Sequence, residues 1–324
     1  MIYSFDGKCY YFCIKTNEIQ FIRTNFSVFA VVCSPRVLDL NVFMLPAVKF
    51  IAPTLTHVIP SQDRGSVYAM TSLDDDVFVI REGSQQIEVY DAATFALRRH
   101  ITVPGLGSRS DGIAACARNR CLYLSDDEND EVRRIALSVS RIKLVKSWSV
   151  ASKPTGLSVN STFHLVVACY GADKLQEYTT RGSLVREIIL PPDVTSPWHA
   201  VQLSSGDYVI SRYTSEGEVN VVRVDGQVVQ SYGQSQTSDV EAMNHPTNLA
   251  VASTDDILVA DKGNDGRILS INRSSGAVRE LPLSADGGIQ LPRGLCLDES
   301  RGRLYVGECL GDHRILVFDV TATL

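Results

Sequence analysis

Residues 244–272 read NHPTNLAVASTDDILVADKGNDGRILSIN, and this stretch decides the fold. Three apolar, β-branched-rich runs within it, at 249–251, 257–260 and 268–271, are separated by polar turns. Short runs of this kind between Gly, Asn and Asp residues predict a tight antiparallel meander. A fourth strand is expected at 277–283. Because four short strands bury too little surface to be stable alone, similar units are expected elsewhere in the chain.

The same unit recurs along the chain at a regular spacing. Its opening residue, most often a proline, recurs at intervals of 43 to 49 residues: Ser110, Pro154, Pro197, Pro246 and Pro292. A second column, just after the second strand of each unit, gives six copies: Arg81, Asp126, Cys169, Ser211, Asp261 and Glu308. Repeats of roughly 40–50 residues are typical of β-propellers. The sequence therefore predicts an all-β fold, a six-bladed β-propeller of four-stranded antiparallel blades.

The repeats also predict the domain boundaries. The propeller is expected at residues 54–324, and residues 1–53 form an N-terminal extension that does not fit the repeat. The last unit, which opens at Pro292, has sequence for only three strands. We expect residues 55–59 (LTHVI) to supply its fourth strand, because this pairing closes the ring and protects strand edges that would otherwise be open.

Two stretches of the chain resemble NHL repeats. The first is HPTNLAV at 245–251 followed by ILVAD at 257–261, and the second is PRGL at 292–295 followed by LYVGE at 304–308. The resemblance implies a six-bladed propeller similar to the C-terminal propellers of tripartite-motif (TRIM-NHL) ubiquitin ligases, which bind proteins or RNA. The same shape also hosts lactonases and a peptide-amidating lyase, so the fold does not choose among these functions.

Charge and cysteine content narrow the function classes. The net charge is −6 and the isoelectric point is near 5.6. In the loops after the second strands, acidic residues outnumber basic ones about two to one, which disfavours a phosphate backbone as ligand. The eight cysteines include no CxxC pair, and free cysteines are usual in the cytosol. The apolar run at 26–33 is shorter than the roughly 20 residues that span a bilayer. We therefore expect a cytoplasmic protein without a membrane segment.

Loops between the second and third strands, and loops between blades, leave a propeller on one face, which we call the loop face. Loops on a rigid scaffold often carry function, so we expect binding residues there. The candidates are Arg81, Asp126, Asp127, Glu128, Asp130, Tyr170, Trp198, His199, Tyr213, Asn248, Asp261, Lys262, Arg293 and Glu308. Two interpretations stay open for the aromatic residues, which either anchor a partner or pack between blades. The charged residues of the second column are expected to bind backbone amides or cap turns.

The residues at the channel opening decide between binding and catalysis. Position three of the repeat opening is Gly112, Gly156, His199, Asn248 and Gly294. Glycine cannot ligate a metal through a side chain, and a lone histidine such as His199 is more often structural. We therefore expect no catalytic residue, metal or cofactor. The sequence favours a monomeric, non-catalytic scaffold that binds a protein partner, with a ubiquitin-ligase-type system implied by the resemblance. The alternatives are an RNA-binding propeller and a metal-dependent hydrolase or lyase.

Overall fold

A computed structural model of the chain describes residues 52–61, 65–137, 142–233, 242–263 and 266–320, and the backbone of five earlier strands. The chain divides into two compact units, Met1–Ile51 and Ala52–Leu324. In the first unit, β1 (Tyr3–Phe5), β2 (Lys8–Lys15) and β3 (Glu18–Thr24) form one antiparallel sheet, and β4 (Phe29–Ser34) pairs with β5 (Val37–Met44). The remainder of the predicted extension, to residue 51, lies outside the described residues.

The second unit consists of six four-stranded antiparallel sheets, which confirms the predicted propeller. The first strand of this unit is β6 (Thr54–Ile59). Blade 1 comprises β7 (Val67–Leu73), β8 (Asp76–Arg81), β9 (Gln86–Asp91) and β10 (Leu97–Thr102). Blade 2 comprises β11 (Ile113–Cys116), β12 (Cys121–Asp126), β13 (Glu131–Leu137) and β14 (Ile142–Ser149). Blade 3 comprises β15 (Pro154–Val159), β16 (Leu165–Cys169), β17 (Lys174–Tyr178) and β18 (Leu184–Ile189), with a 3-10 turn at Tyr170–Ala172.

The remaining blades repeat this meander. Blade 4 comprises β19 (Pro197–Gln202), β20 (Tyr208–Arg212), β21 (Val219–Val222) and β22 (Val228–Tyr232). Blade 5 comprises β23 (Pro246–Val251), β24 (Ile257–Asp261), β25 (Arg267–Ile271) and β26 (Val278–Glu280). Blade 6 comprises β27 (Pro292–Asp298), β28 (Arg303–Glu308) and β29 (Ile315–Asp319), with a 3-10 turn at Glu299–Arg301. Among the described residues, no helix is long and apolar enough to cross a membrane.

Strand β6 completes blade 6 and closes the ring. It pairs antiparallel with β29, with Ile59 opposite Ile315. The hydroxyl of Thr56 donates a hydrogen bond of 3.0 Å to the carbonyl oxygen of Val317. Ile59 is 3% exposed, because it packs into the core between blades 6 and 1. The prediction that the segment before blade 1 supplies the missing strand is confirmed, and the strand begins one residue earlier than expected.

The core lies between neighbouring blades. Every residue of β12 is buried, whereas the outermost strand of blade 3 is exposed at most positions. Phe78 and Ile80 of blade 1 share one apolar cluster with Leu122 and Leu124 of blade 2. Strands buried on both sides need continuous apolar sequence rather than alternation, which explains the runs seen in the second strand of each repeat.

The glycines at the repeat openings have a packing role. A Cβ atom added to Gly112 would lie 2.2 Å from the carbonyl oxygen of Thr155 in the next blade. A Cβ added to Gly156 would lie 2.4 Å from Cδ2 of His199. These distances are far below van der Waals contact, so the first strands of adjacent blades can approach this closely only because the side chain is absent. Gly112 and Gly156 are therefore needed for this close approach of the first strands.

Candidate functional site

The second column forms buried clasps between the blades. In blade 5, Arg267 Nε donates to Asp261 Oδ2 at 2.9 Å, and Arg267 Nη2 donates to the carbonyl oxygen of Ala242 at 3.0 Å. The other carboxylate oxygen of Asp261 accepts a hydrogen bond of 2.8 Å from the backbone amide of Asn244. Blades 1, 2 and 6 repeat this arrangement with Arg81–Glu88, Asp126–Arg133 and Glu308–Arg314.

Burial assigns these column residues to the scaffold. Asp126, Asp261 and Glu308 have no exposed surface, and Arg81 is 3% exposed. Burial raises the pKa of Asp261 to about 6, although its hydrogen bonds to Asn244 and Arg267 lower it. These four residues were expected at a binding surface. The structure corrects that placement, because each is enclosed where its blade meets the loop from the preceding blade.

His199 is also part of the channel wall. Its Nε2 lies 3.0 Å from the carbonyl oxygen of Leu157 in blade 3. Its Nδ1 accepts a hydrogen bond of 2.9 Å from the amide of Leu249 in blade 5. The neutral tautomer with hydrogen on Nε2 satisfies both contacts, and burial lowers the pKa of His199 to about 4. His199 thus joins three blades, and neither of its nitrogens is available to a substrate.

Five side chains meet where the channel reaches the loop face, and we call them the mouth cluster: Tyr68, Asp111, Trp198, Asn248 and Arg293. Arg293 Nη2 of blade 6 lies 2.5 Å from Oδ1 of Asp111, which precedes the first strand of blade 2. The guanidinium carbon of Arg293 lies 3.6 Å from the ring centroid of Tyr68 and 4.9 Å from that of Trp198. Asn248 Nδ2 donates to the carbonyl oxygen of Tyr68 at 3.4 Å. The cluster therefore joins blades 1, 2, 4, 5 and 6 through side-chain contacts.

The mouth cluster is unusually rich in polar atoms without partners. Within the described ranges, Asp111 Oδ2, Trp198 Nε1, Asn248 Oδ1 and Arg293 Nε are buried and form no hydrogen bond. Unsatisfied buried groups are costly and rare in folded proteins. Four such atoms lie together in this cluster, which makes it a candidate binding region.

Two members of the cluster, Tyr68 and Asp111, are absent from the sequence predictions. Both occupy position two of the repeat opening, one residue before the position that sequence reasoning examined. The signal was present in the repeat, where position two carries Tyr, Asp, Trp and Arg in blades 1, 2, 4 and 6.

Asp127 lies beside the mouth cluster on the loop after β12. Its carboxylate Oδ2 is 3.6 Å from Nε of Arg109, whose side chain is 60% exposed. Its Oδ1 has no hydrogen-bond partner among the described residues. Burial, followed by the negative charge of Asp111, raises the pKa of Asp127 to about 6. This carboxyl group can therefore both accept and donate a proton near neutral pH.

The two other acidic candidates of that loop differ from Asp127. Glu128 is exposed and accepts a hydrogen bond from the hydroxyl of Ser108. Asp130 Oδ1 accepts a 2.6 Å hydrogen bond from the backbone amide of Lys153, which ties the loop to the opening of blade 3. Asp127 differs from both, because one of its carboxylate oxygens is buried without a hydrogen-bond partner among the described residues.

A row of aromatic rings, which we call the aromatic ledge, borders the mouth cluster: Tyr170, Trp198, Tyr213 and His245. Successive ring centroids are 6.0, 4.6 and 4.9 Å apart, from blade 3 to the opening of blade 5. Trp198 is 6% exposed, and the other three rings are half-buried. Lys262 lies beside its end, where its amide donates to the carbonyl oxygen of His245 at 3.3 Å. The candidates Tyr170, Trp198 and Tyr213 therefore form one continuous surface.

Behind the mouth cluster the channel contains a cavity of about 260 Å³, lined by the first strands of the six blades. Asp111, His199 and Asn248 are among its polar lining residues. In the part of the chain that the structure describes, no group of three or more His, Cys, Asp or Glu side chains is arranged to hold a metal ion.

The sequence matches no protein-family model and no curated protein. The structure, however, is similar to solved propellers. A streptogramin B lyase is 13% identical with a TM-score of 0.61, covering 84% of this chain and 99% of that one. Virginiamycin B lyase from Staphylococcus aureus is 14% identical with a TM-score of 0.58, covering 98% and 93%. Hydrazine synthase from Kuenenia stuttgartiensis is 18% identical with a TM-score of 0.58, covering 82% and 79%.

These comparisons correct the functional prediction. The expectation of a non-catalytic scaffold is contradicted, because the similar propellers include lyases and a synthase. A catalytically inactive His-to-Ala variant of the Staphylococcus aureus lyase, with quinupristin, is a further similar structure. None of the comparisons supports an NHL or tripartite-motif relationship. At identities of 13–18% they show a shared propeller fold, and the expected protein partner and cytoplasmic location stay predictions.

Proposed function

We propose that this chain is an enzyme whose active site lies on the loop face, between Asp127 and the mouth cluster. The proposal is based on the surroundings of the Asp127 carboxyl group. Asp127 combines a side chain that is 12% exposed, a buried oxygen without a hydrogen-bond partner among the described residues, and a pKa raised to about 6 by burial and by Asp111. Perturbed carboxyl groups of this kind occur preferentially at functional sites.

The proposed reaction is an elimination. Asp127 removes a proton from a substrate carbon, and the electron pair of that C–H bond forms a carbon–carbon double bond. The bond from the neighbouring carbon to a leaving oxygen then breaks, and both its electrons go to the oxygen. Arg109 lies beside Asp127 with 60% of its side chain exposed, so it is placed to stabilise negative charge that develops on an oxygen of the substrate.

Two considerations support elimination over other proton transfers. The similar propellers include a streptogramin B lyase and a virginiamycin B lyase. A base that acts on a carbon acid also needs a pKa close to the working pH, because a stronger base would already be protonated. His199 does not supply this base, since both its nitrogens bind backbone groups.

The test is turnover of esters in which the carbon bonded to the alkoxy oxygen neighbours a carbon with an acidic hydrogen, beginning with quinupristin and extending to simpler cyclic and linear esters. Mass spectrometry separates the outcomes, because elimination in a cyclic ester leaves the mass unchanged whereas hydrolysis adds one water. We expect an unchanged mass, with turnover abolished by Asp127→Asn. Glu128→Gln is the matched control, since it removes an exposed carboxylate from the same loop. Full turnover by the Asp127→Asn variant would refute the proposal.

A further inference from the structure

The aromatic ledge has a geometry that the proposed proton transfer does not require. Its four rings come from three blades, yet they form one continuous row with centroid separations of 6.0, 4.6 and 4.9 Å. Rings that only pack between blades would be fully buried, whereas Tyr170, Tyr213 and His245 each keep part of their surface exposed. A row of partly exposed rings beside an active site offers area for a ligand at low cost in conformational entropy.

The ledge is held in place by its backbone. The amide of Tyr170 donates to the carbonyl oxygen of Lys153 at 3.0 Å, and the amide of Tyr213 donates to that of Ser196 at 3.2 Å. Each of these bonds ties the loop after a second strand to the residue preceding the same blade's opening. Because the rings stand on fixed loops of a closed propeller, they are preorganised before a ligand arrives.

The ledge is continuous with the mouth cluster through Trp198. The guanidinium carbon of Arg293 lies 4.9 Å from the Trp198 ring, and Trp198 Nε1 is buried without a partner among the described residues. The cation of Arg293 lies against this ring, so a second cation placed there would meet like charge. A neutral planar ring would meet no such repulsion.

We propose that the aromatic ledge is the subsite for a neutral aromatic group of the substrate. The proposal rests on the proposed function, since the ledge would hold that ring while the reacting carbon lies at Asp127. The ring stacks against Tyr213 and Tyr170, at the offset or edge-on separations that aromatic pairs prefer. The substrate class is therefore an ester that carries an aromatic side group.

The chain offers a direct optical test, because it contains only two tryptophans. Trp148 lies on the outer strand of blade 2 against Tyr123 and Tyr178, away from the ledge. A Trp148→Phe variant leaves Trp198 as the single reporter of the ledge. Adding Asp127→Asn prevents turnover, so that binding is measured without chemistry.

Fluorescence titration of this double variant would compare N-acetylphenylalanine amide with its cyclohexyl analogue, which has a similar size but no aromatic ring. We expect a saturable change with the phenyl compound and at least about tenfold weaker binding of the cyclohexyl compound. Tyr213→Leu, which keeps apolar volume but removes the ring, should weaken phenyl binding by about tenfold. Tyr213→Phe should leave it within about twofold, because the hydroxyl plays no part.

Several outcomes would overturn the proposal. They are equal affinity for the two compounds, no saturable signal, or phenyl binding unchanged by both Tyr213→Leu and Tyr170→Leu. A Tyr213-dependent self-association without ligand binding would assign the ledge to protein contact instead. Thermal unfolding of each variant shows whether it is folded, and Tyr170→Leu replaces Tyr213→Leu if that variant is not. If ester turnover is unchanged by Tyr213→Leu and Tyr170→Leu, only this inference is overturned. If the phenyl compound binds but no ester is turned over, only the proposed elimination is overturned.

Discussion

The buried clasp of blade 5 offers a sharp test of how the ring is stabilised. Arg267→Met keeps most of the side-chain volume but removes the cation that faces Asp261 at 2.9 Å. Arg267 is 8% exposed and Asp261 has no exposed surface, so the carboxylate would be left buried without its counterion. Removing one partner of a buried ion pair costs about 3–5 kcal/mol. The same loss lowers the melting temperature by roughly 6–20 °C in a domain of this size.

Urea unfolding of the parent and the variant measures this loss. Without Arg267, the pKa of Asp261 should rise above the value of about 6 that burial already produces. The cost of burying its charge is therefore greatest well above pH 6 and falls as the pH is lowered and the carboxyl group becomes protonated. Asp261→Asn in the Arg267→Met background should restore part of the stability. Arg223→Met, at an exposed position, is the control and should change stability by less than about 0.5 kcal/mol. A loss below about 1 kcal/mol, or one independent of Asp261, would refute this account of the clasp.

Three further predictions concern ring closure and the two perturbed groups of the mouth and channel. Ile59→Ala should destabilise the propeller by about 2–5 kcal/mol, because it opens a cavity in the closing blade. The control Val58→Ala changes a residue that is 36% exposed and should cost less than about 0.5 kcal/mol. Equal melting temperatures for the two variants would show that the ring closes differently. Asp127→Asn should stabilise the protein by about 1–3 kcal/mol at pH 8, because the fold disfavours the charged carboxylate and raises its pKa to about 6, above the unfolded value. This gain in stability should vanish below about pH 4, where the carboxyl group is protonated in both states. A variant less stable than the parent at pH 8 would contradict the argument that burial disfavours the charge. His199 has a pKa of about 4 in the folded protein, against an ordinary value of 6.5. The stability of the propeller should therefore fall as the pH decreases from 6.5 to 4, because protonation favours the unfolded state. A His199→Gln variant with the same pH dependence would exclude His199 as the cause.

The fold could be predicted from the sequence because its determinants are local. Short apolar runs, turn residues and a spacing of 43 to 49 residues define each blade without knowledge of any contact. Even the ring-closing strand followed from arithmetic, since the unit opening at Pro292 has sequence for only three strands.

The site could be predicted only in part, because its chemistry depends on contacts between distant blades. Trp198 and Arg293 were identified from their loop positions, but the ion pair of Arg293 with Asp111 joins residues 182 positions apart. The sequence contains nothing that shows the burial of Asp261, or the charge of Asp111 acting on Asp127. The charged residues of the second column were therefore included among the binding candidates of the loop face. In the structure their charges are neutralised by buried ion pairs.

The closing strand also imposes an order on how the protein is made. Thr56 is synthesised 261 residues before Val317, the residue whose carbonyl oxygen accepts its hydrogen bond. At a ribosomal rate of about 5–20 residues per second, the first strand waits roughly 15–50 s for its partner. During that interval the face of blade 1 that later packs against blade 6 is exposed, and Ile59 has no core to pack into. Ring assembly must therefore end with the last blade, and a nascent chain stalled before residue 315 remains an open arc.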